Sequence, residues 1–174
     1  SLQAALMRLT VSEVNVHYTP TVDYDGGDSF QVSVTDGALT DTITVDVTVE
    51  PVNDAPALVQ GAQVAVTMSE DGDPTPFELG LDADDVDDDN WSLGWSVIDG
   101  PDHGGVSLSP NSVPTGRGVL HQVDVHYTPT LNYNGSDGFE VQVSDGELTD
   151  TIAVDVTVEP VQDPVEITQG EQVS

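Results

Sequence analysis

The sequence has no cysteine and no lysine. Without cysteine there are no disulfides, no thiolate metal sites and no thiol nucleophile, although the compartment stays open. Without lysine, a phosphate-cradling P-loop lacks the residue that reaches the phosphates. The two basic residues, Arg8 and Arg117, face 32 Asp and Glu, for a formal net charge of −30. Such a surface repels nucleic acid and anionic membranes, so neither is expected as a partner. No apolar run approaches the roughly 20 residues of a membrane helix, and direct membrane insertion is not expected. Residues 1–9, SLQAALMRL, lack the charged start and long apolar middle of a signal peptide, which places any export signal outside this stretch. There is no GxSxG turn to present a nucleophilic serine. Carboxylate pairs carry almost no information in so acidic a chain, so no enzyme activity is expected.

What is present is enough apolar residue, 37 %, for a modest core, together with charge that repels itself. A compact body so charged needs salt to screen it or bound cations to neutralise it locally. The plainest pattern is a repeat. VNVHYTPTVDYDGGDSFQVSVTDGALTDTITVDVTVEPVND (14–54) recurs 109 residues later as VDVHYTPTLNYNGSDGFEVQVSDGELTDTIAVDVTVEPVQD (123–163), with 29 of 41 positions identical. That shift exceeds a solenoid period and suits a whole small domain repeated. Residues 1–54 then hold the C-terminal half of one repeat, 55–163 a complete repeat, and 164–174 the start of another, since Gln169-Gly170 matches Gln60-Gly61. The chain reads as a piece of a longer array, and the half-repeat, with an open sheet face and edge, is expected to be less ordered than 55–163.

Within the complete copy most segments alternate apolar and polar residues at period two. In TIAVDVTV, Ile152, Val154, Val156 and Val158 share one face, the mark of a half-buried antiparallel strand. Similar patterns near 64–68, 77–81, 91–98, 105–108, 119–127 and 139–144 bring the expected number to seven. No stretch has a long helical period. The spacing predicts an all-β, seven-stranded Greek-key sandwich of immunoglobulin-like type, tandemly repeated. Ser144-Asp145-Gly146 and Thr35-Asp36-Gly37 would open the last hairpin loop of each copy.

His17 and His126 occupy matching strand positions, and neither His103 nor His121 brings a second ligand at zinc spacing. Trp91, Leu93, Trp95 and Val97 alternate along one strand face, which reads as core ahead of an aromatic platform for sugar rings. The densest cluster is DADDVDDDNW at 82–91. Asp85, Asp87 and Asp89 fit the first ligands of an EF-hand loop, but Asn90 stands where its glycine should be and Ser96 where its glutamate should be. The EF-hand reading fails. Calcium still suits the cluster, since it takes six to eight hard oxygen ligands in loose geometry.

YTPxxNYxGxDxF (Tyr127 to Phe139), the VSDG turn, the closing strand, PVNDAP at 51–56, SED at 69–71 and AxDxD at 83–87 together resemble the bacterial cadherin-like repeats of large secreted and surface adhesins. The resemblance implies calcium between successive domains. It places Asn53 and Asp54 in the linker, with Asp85, Asp87, Asn90 and Asp145 supplied by the domain that follows, and Asp28 of the first copy standing for a mid-domain loop. Glu70, Asp137 and Asp163 would serve the next joint, where Gln162 replaces the Asn found at Asn53. It implies Ca2+ as cofactor, neighbouring repeats of the same chain as partners, adhesion to a surface polysaccharide or a like repeat on another cell, and an extracellular, secreted or cell-surface location. Two rival readings are a carbohydrate-binding module, motivated by the tryptophans, and an acidic spacer without a specific ligand.

Overall fold

The computed structural model describes residues 13–73, 75–87, 93–110 and 120–165, and every regular element among them is a strand. Asn90 and Trp91 lie outside the described residues, as does 166–174. The chain forms two compact units, Ser1–Val52 and Asn53–Ser174. Asn53 and Asp54, expected at the end of the first copy, thus belong to the second unit.

The first unit is a hairpin of β1 (Gly26–Thr35) and β2 (Thr40–Val49), antiparallel from Gly26↔Val49 to Thr35↔Thr40. Its turn is built locally. The Asp36 carboxylate accepts the backbone N–H of Ala38 and Leu39, and Gly37 takes a φ of 96°, which costs glycine little. Ahead of the hairpin Tyr18 donates to Asp28 Oδ2 (2.8 Å) and stacks on Phe30.

The second unit contains β3 (Ala57–Leu58), β4 (Gln63–Ser69), β5 (Leu79–Asp84), β6 (Gly94–Asp99), β7 (Gly104–Pro110), β8 (His121–Pro129), β9 (Gly135–Ser144) and β10 (Thr149–Glu159). Two four-stranded sheets run in the orders β4-β10-β9-β6 and β3-β5-β8-β7. All pairs are antiparallel except β4 with β10, which run parallel from Gln63↔Ala153 to Ser69↔Glu159. One core fills the space between the sheets. Leu81, Ala83, Val123 and Val125 come from one side, and Val141, Val143, Ile152, Val154 and Val156 from the other, all essentially inaccessible to water. Period-two alternation is the cause: β10 buries Ile152, Val154, Val156 and Val158 and turns Asp155 and Thr157 outward. Trp95 and Leu93 are half-buried against the same core.

Two expectations need correction in detail. The strand placed near 77–81 runs from Leu79 to Asp84, so the first three residues of the acidic cluster are strand, with Asp82↔Gln122 and Ala83↔His121 paired to β8. An eighth, two-residue strand, β3, was not foreseen. It follows Pro56 and is too short for any alternation to show, and it forms because its partners are already in place: Ala57 pairs with Asp84 and Leu58 with Ala83.

Candidate functional site

The expected site residues separate toward the two ends of β10. At its start stand Asn53, Asp54, Asp85, Asp87 and Asp145. Toward its finish stand Glu70 and Asp137, with Asp163 beyond the strand.

The first group is drawn together by hydrogen bonds from the entering chain. Asn53 Nδ2 donates to Asp145 Oδ2 (2.8 Å), and the backbone N–H of Asp54 donates to Asp87 Oδ2 (2.5 Å). Asp145 belongs to the β9–β10 turn and Asp87 to the segment after β5. Two loops distant in sequence therefore grip consecutive residues. Strand pleat decides which carboxylate faces inward: Leu81, Ala83 and Asp85 share the buried side, whereas Asp82 and Asp84 lie on the other. Asp85, 5 % exposed, accepts the N–H of Asp87 at Oδ1 (3.0 Å) and so shapes the turn that presents Asp87.

Asp145 also organises its own turn. Its Oδ1 accepts the N–H groups of Glu147 (2.6 Å) and Leu148 (2.7 Å), the pattern Asp36 shows in the first unit. The Leu148 and Glu147 amides, then the Asn53 amide, hold its carboxyl below the usual carboxylate range. Asp150, which sequence reasoning passed over, accepts the N–H of Leu58 at Oδ2 (2.9 Å) and ties β3 to the start of β10. The signal for it was LTDT, unchanged between the copies.

At the other end Glu70 Oε1 accepts the N–H of Val161 (2.7 Å), and its own N–H donates to the carbonyl of Glu159. It pins the chain as it leaves β10. Asp137 is used up by donors: Tyr127 Oη (2.7 Å) and the N–H groups of Asp102 (3.0 Å), His103 (3.0 Å) and Gly138 (2.9 Å). Burial acts to raise its pKa, but the Tyr127 hydroxyl and the three amides outweigh it and leave it lowered. Burial and the Asp137 bond raise that of Tyr127. The tyrosine bond and the amide of the following residue recur at Asp28, where the Tyr18 hydroxyl and the Ser29 N–H lower the carboxyl. The repeated YTP…D motif is thus a brace between adjacent segments, and His103, stacked on Tyr133 with ring centroids 4.2 Å apart, completes it. Asp163 is exposed. The structure does not bring Asp163 or Asp137 to the Asn53 end, and Asp28 lies in the other unit.

The donors at the Asn53 end are hard oxygens, suited to Ca2+ by type. Their grouping as it stands does not hold one: among the described residues no three His, Asp or Glu side chains are gathered to bind a metal ion. The reason is visible in the bonds, since Asp87 and Asp145 are occupied by N–H donors from the entering chain and the turn.

Similar solved structures include endo-fucoidan hydrolase MfFcnA4 from glycoside hydrolase family 107, at 20 % identity and a TM-score of 0.40 over 82 % of this chain. Endo-fucoidan hydrolase MfFcnA9 from the same family gives 19 % identity and a TM-score of 0.43 over 80 %. The chain spans only 20 % and 23 % of those two chains, and the likeness carries no argument about activity. No curated protein matches it. A model of the bacterial Ig domain matches residues 2–48 and 53–157, most of the sequence and a broader class than the cadherin-like repeats its motifs resemble. The chain belongs to the bacterial Ig domain family.

Proposed function

We propose that this chain is a non-catalytic, calcium-responsive connecting module of an extracellular adhesive protein built from Ig-like repeats. One observation supports it above the rest: Asn53 and Asp54 are bonded to Asp145 and Asp87, carboxylates from two separate loops at one end of the second unit. A module that grips its own entering segment passes force and orientation along an array, where a slack linker would not. Calcium would strengthen that grip by taking the place of the N–H donors on Asp87 and Asp145, with Asp85 and the Asn53 carbonyl oxygen as further ligands. The neighbouring repeats of the same protein are the primary partners in this reading.

Calorimetric titration of the full chain with CaCl2 tests it, beside melting curves in calcium, in chelator and in NaCl of equal ionic strength. Saturable binding at roughly 10⁻⁴–10⁻³ M, with a matching rise in melting temperature, is expected. Asp87→Asn and Asp145→Asn should weaken it. Stabilisation by NaCl equal to that by calcium would favour the acidic-spacer reading and remove the ion from the proposal.

A further inference from the structure

Within the second unit two neighbouring strands part and leave a notch. β5 pairs with β8 only as far as Leu79↔Val125, whereas β8 runs on to Pro129 with β7 on its other side, from Ser107↔His126 to Gly104↔Pro129. Pro76 contributes to the parting, since proline cannot donate to a ladder and the pairing of β5 begins only after it. The segment ahead of β5 stands off from residues 126–129, and a cavity of about 610 Å³ lies between them.

Its walls are of two kinds. Met68, Phe77, Tyr127 and Leu131 make an apolar side, on which Phe77 packs against Tyr127 and Phe139 with ring centroids 5.7 and 6.5 Å apart. Glu70 and Asp71 make an acidic side, and His126 lines the cavity as well. The loop that carries the two carboxylates is held in shape without a ligand. Ser69, 2 % exposed, donates its N–H to the Thr75 carbonyl (2.9 Å) and accepts the Thr75 N–H at Oγ (3.0 Å). Gly72, at a φ of 72°, donates to the Ser69 carbonyl, and Glu70 is fixed by Val161 and Glu159. The strand side of the notch carries HYTPT, which is unchanged between 17–21 and 126–130 although His126 and Thr128 are exposed and outside the core.

Such walls select a ligand by charge and by shape. An anion is repelled by Glu70, Asp71 and the net charge of −30. A bare metal ion is short of ligands, since among the described residues no three His, Asp or Glu side chains gather to hold one. An organic cation suits both walls at once, its apolar stem against the rings and its charge beside the carboxylates. We propose that this notch binds a small primary amine in its ammonium form, the stem packed on Phe77 and Leu131 and the ammonium placed between Glu70 and Asp71. The site shares no residue with the Asn53 end and does not rest on calcium binding there.

The test is an NMR titration of the full chain with benzylamine at neutral pH, in chelator and at a fixed NaCl concentration of about 0.15 M, beside titrations with benzyl alcohol and with glucose. Saturable shifts in the millimolar range are expected at Met68, Glu70, Asp71, Phe77, His126 and Leu131. Benzyl alcohol, of the same shape without the charge, should bind at least about 5-fold more weakly. Glu70→Gln, which keeps an acceptor for the Val161 N–H, and the exposed Asp71→Asn should each weaken benzylamine by about 2–5-fold. Asp46→Asn with Glu147→Gln removes as much charge elsewhere on the surface and should leave the affinity unchanged. Equal binding of benzyl alcohol, an equal loss in the Asp46/Glu147 double variant, or shifts spread over the surface without saturation would overturn the proposal. So would the same shifts from glucose at lower concentration, because the notch would then be a sugar site.

Discussion

Ile152 and Ile43 sit at one place in two copies of the same strand, and they show how little residue type says without its surroundings. Ile152 is fully enclosed by both sheets, whereas Ile43 looks out from a hairpin. Ile152→Ala is expected to destabilise the second unit by about 2–5 kcal/mol, and Ile43→Ala to leave its urea midpoint unchanged. Asp137 carries a pH dependence of known sign. Its folded pKa lies below its unfolded value, so its contribution is present above roughly pH 4 and is lost as pH falls through the folded value. Asp137→Asn should therefore lower the urea midpoint at pH 7 and flatten its decline as the pH falls below about 4. The role of Asp137 was only half legible. Its recurrence as Asp28 marked it, but the four donors that fill it come from Tyr127, Gly138 and a loop some 35 residues earlier, which no local pattern connects.

Among the elements, the long alternating strands were readable and the short or irregular ones were not. β9 and β10 announce themselves by valines at period two. β3 has two residues and exists only because β5 and Asp150 await it. β5 ran on past its expected end because Ala83 fits the core, which carried the strand into the aspartates and fixed Asp85, not Asp84, on the buried side. At the start of β7, Gly104 holds a close approach between strands: a Cβ there would meet Tyr127 Cε2 at 2.5 Å and the carbonyl oxygen of Thr128 at 2.7 Å. Backbone cannot yield as a flexible side chain can. Gly104→Ala is expected to cost about 1–3 kcal/mol by overpacking, read as a lower urea midpoint, and to loosen the Tyr127–Asp137 brace.

For the whole molecule, charge and repetition set the terms. A net charge of −30 on a small body means self-repulsion, so raising NaCl from about 0.01 to 1 M should raise the melting temperature steadily, as the screening length contracts from about 30 to 3 Å. Calcium bound at a site would instead act in the millimolar range and saturate. Order along the chain was enough for the all-β class, the 109-residue repeat, the absence of thiol and P-loop chemistry, and the acidic residues that merit attention, because these rest on composition and period, which are local properties. Tertiary structure alone decided which carboxylates meet. Asn53 reaches Asp145 across 92 positions and Asp54 reaches Asp87 across 33, while Asp137 and Glu70 are held toward the other end of β10. Sheet register sets those distances, and in the second unit it is fixed by how the apolar faces of two sheets close on one another.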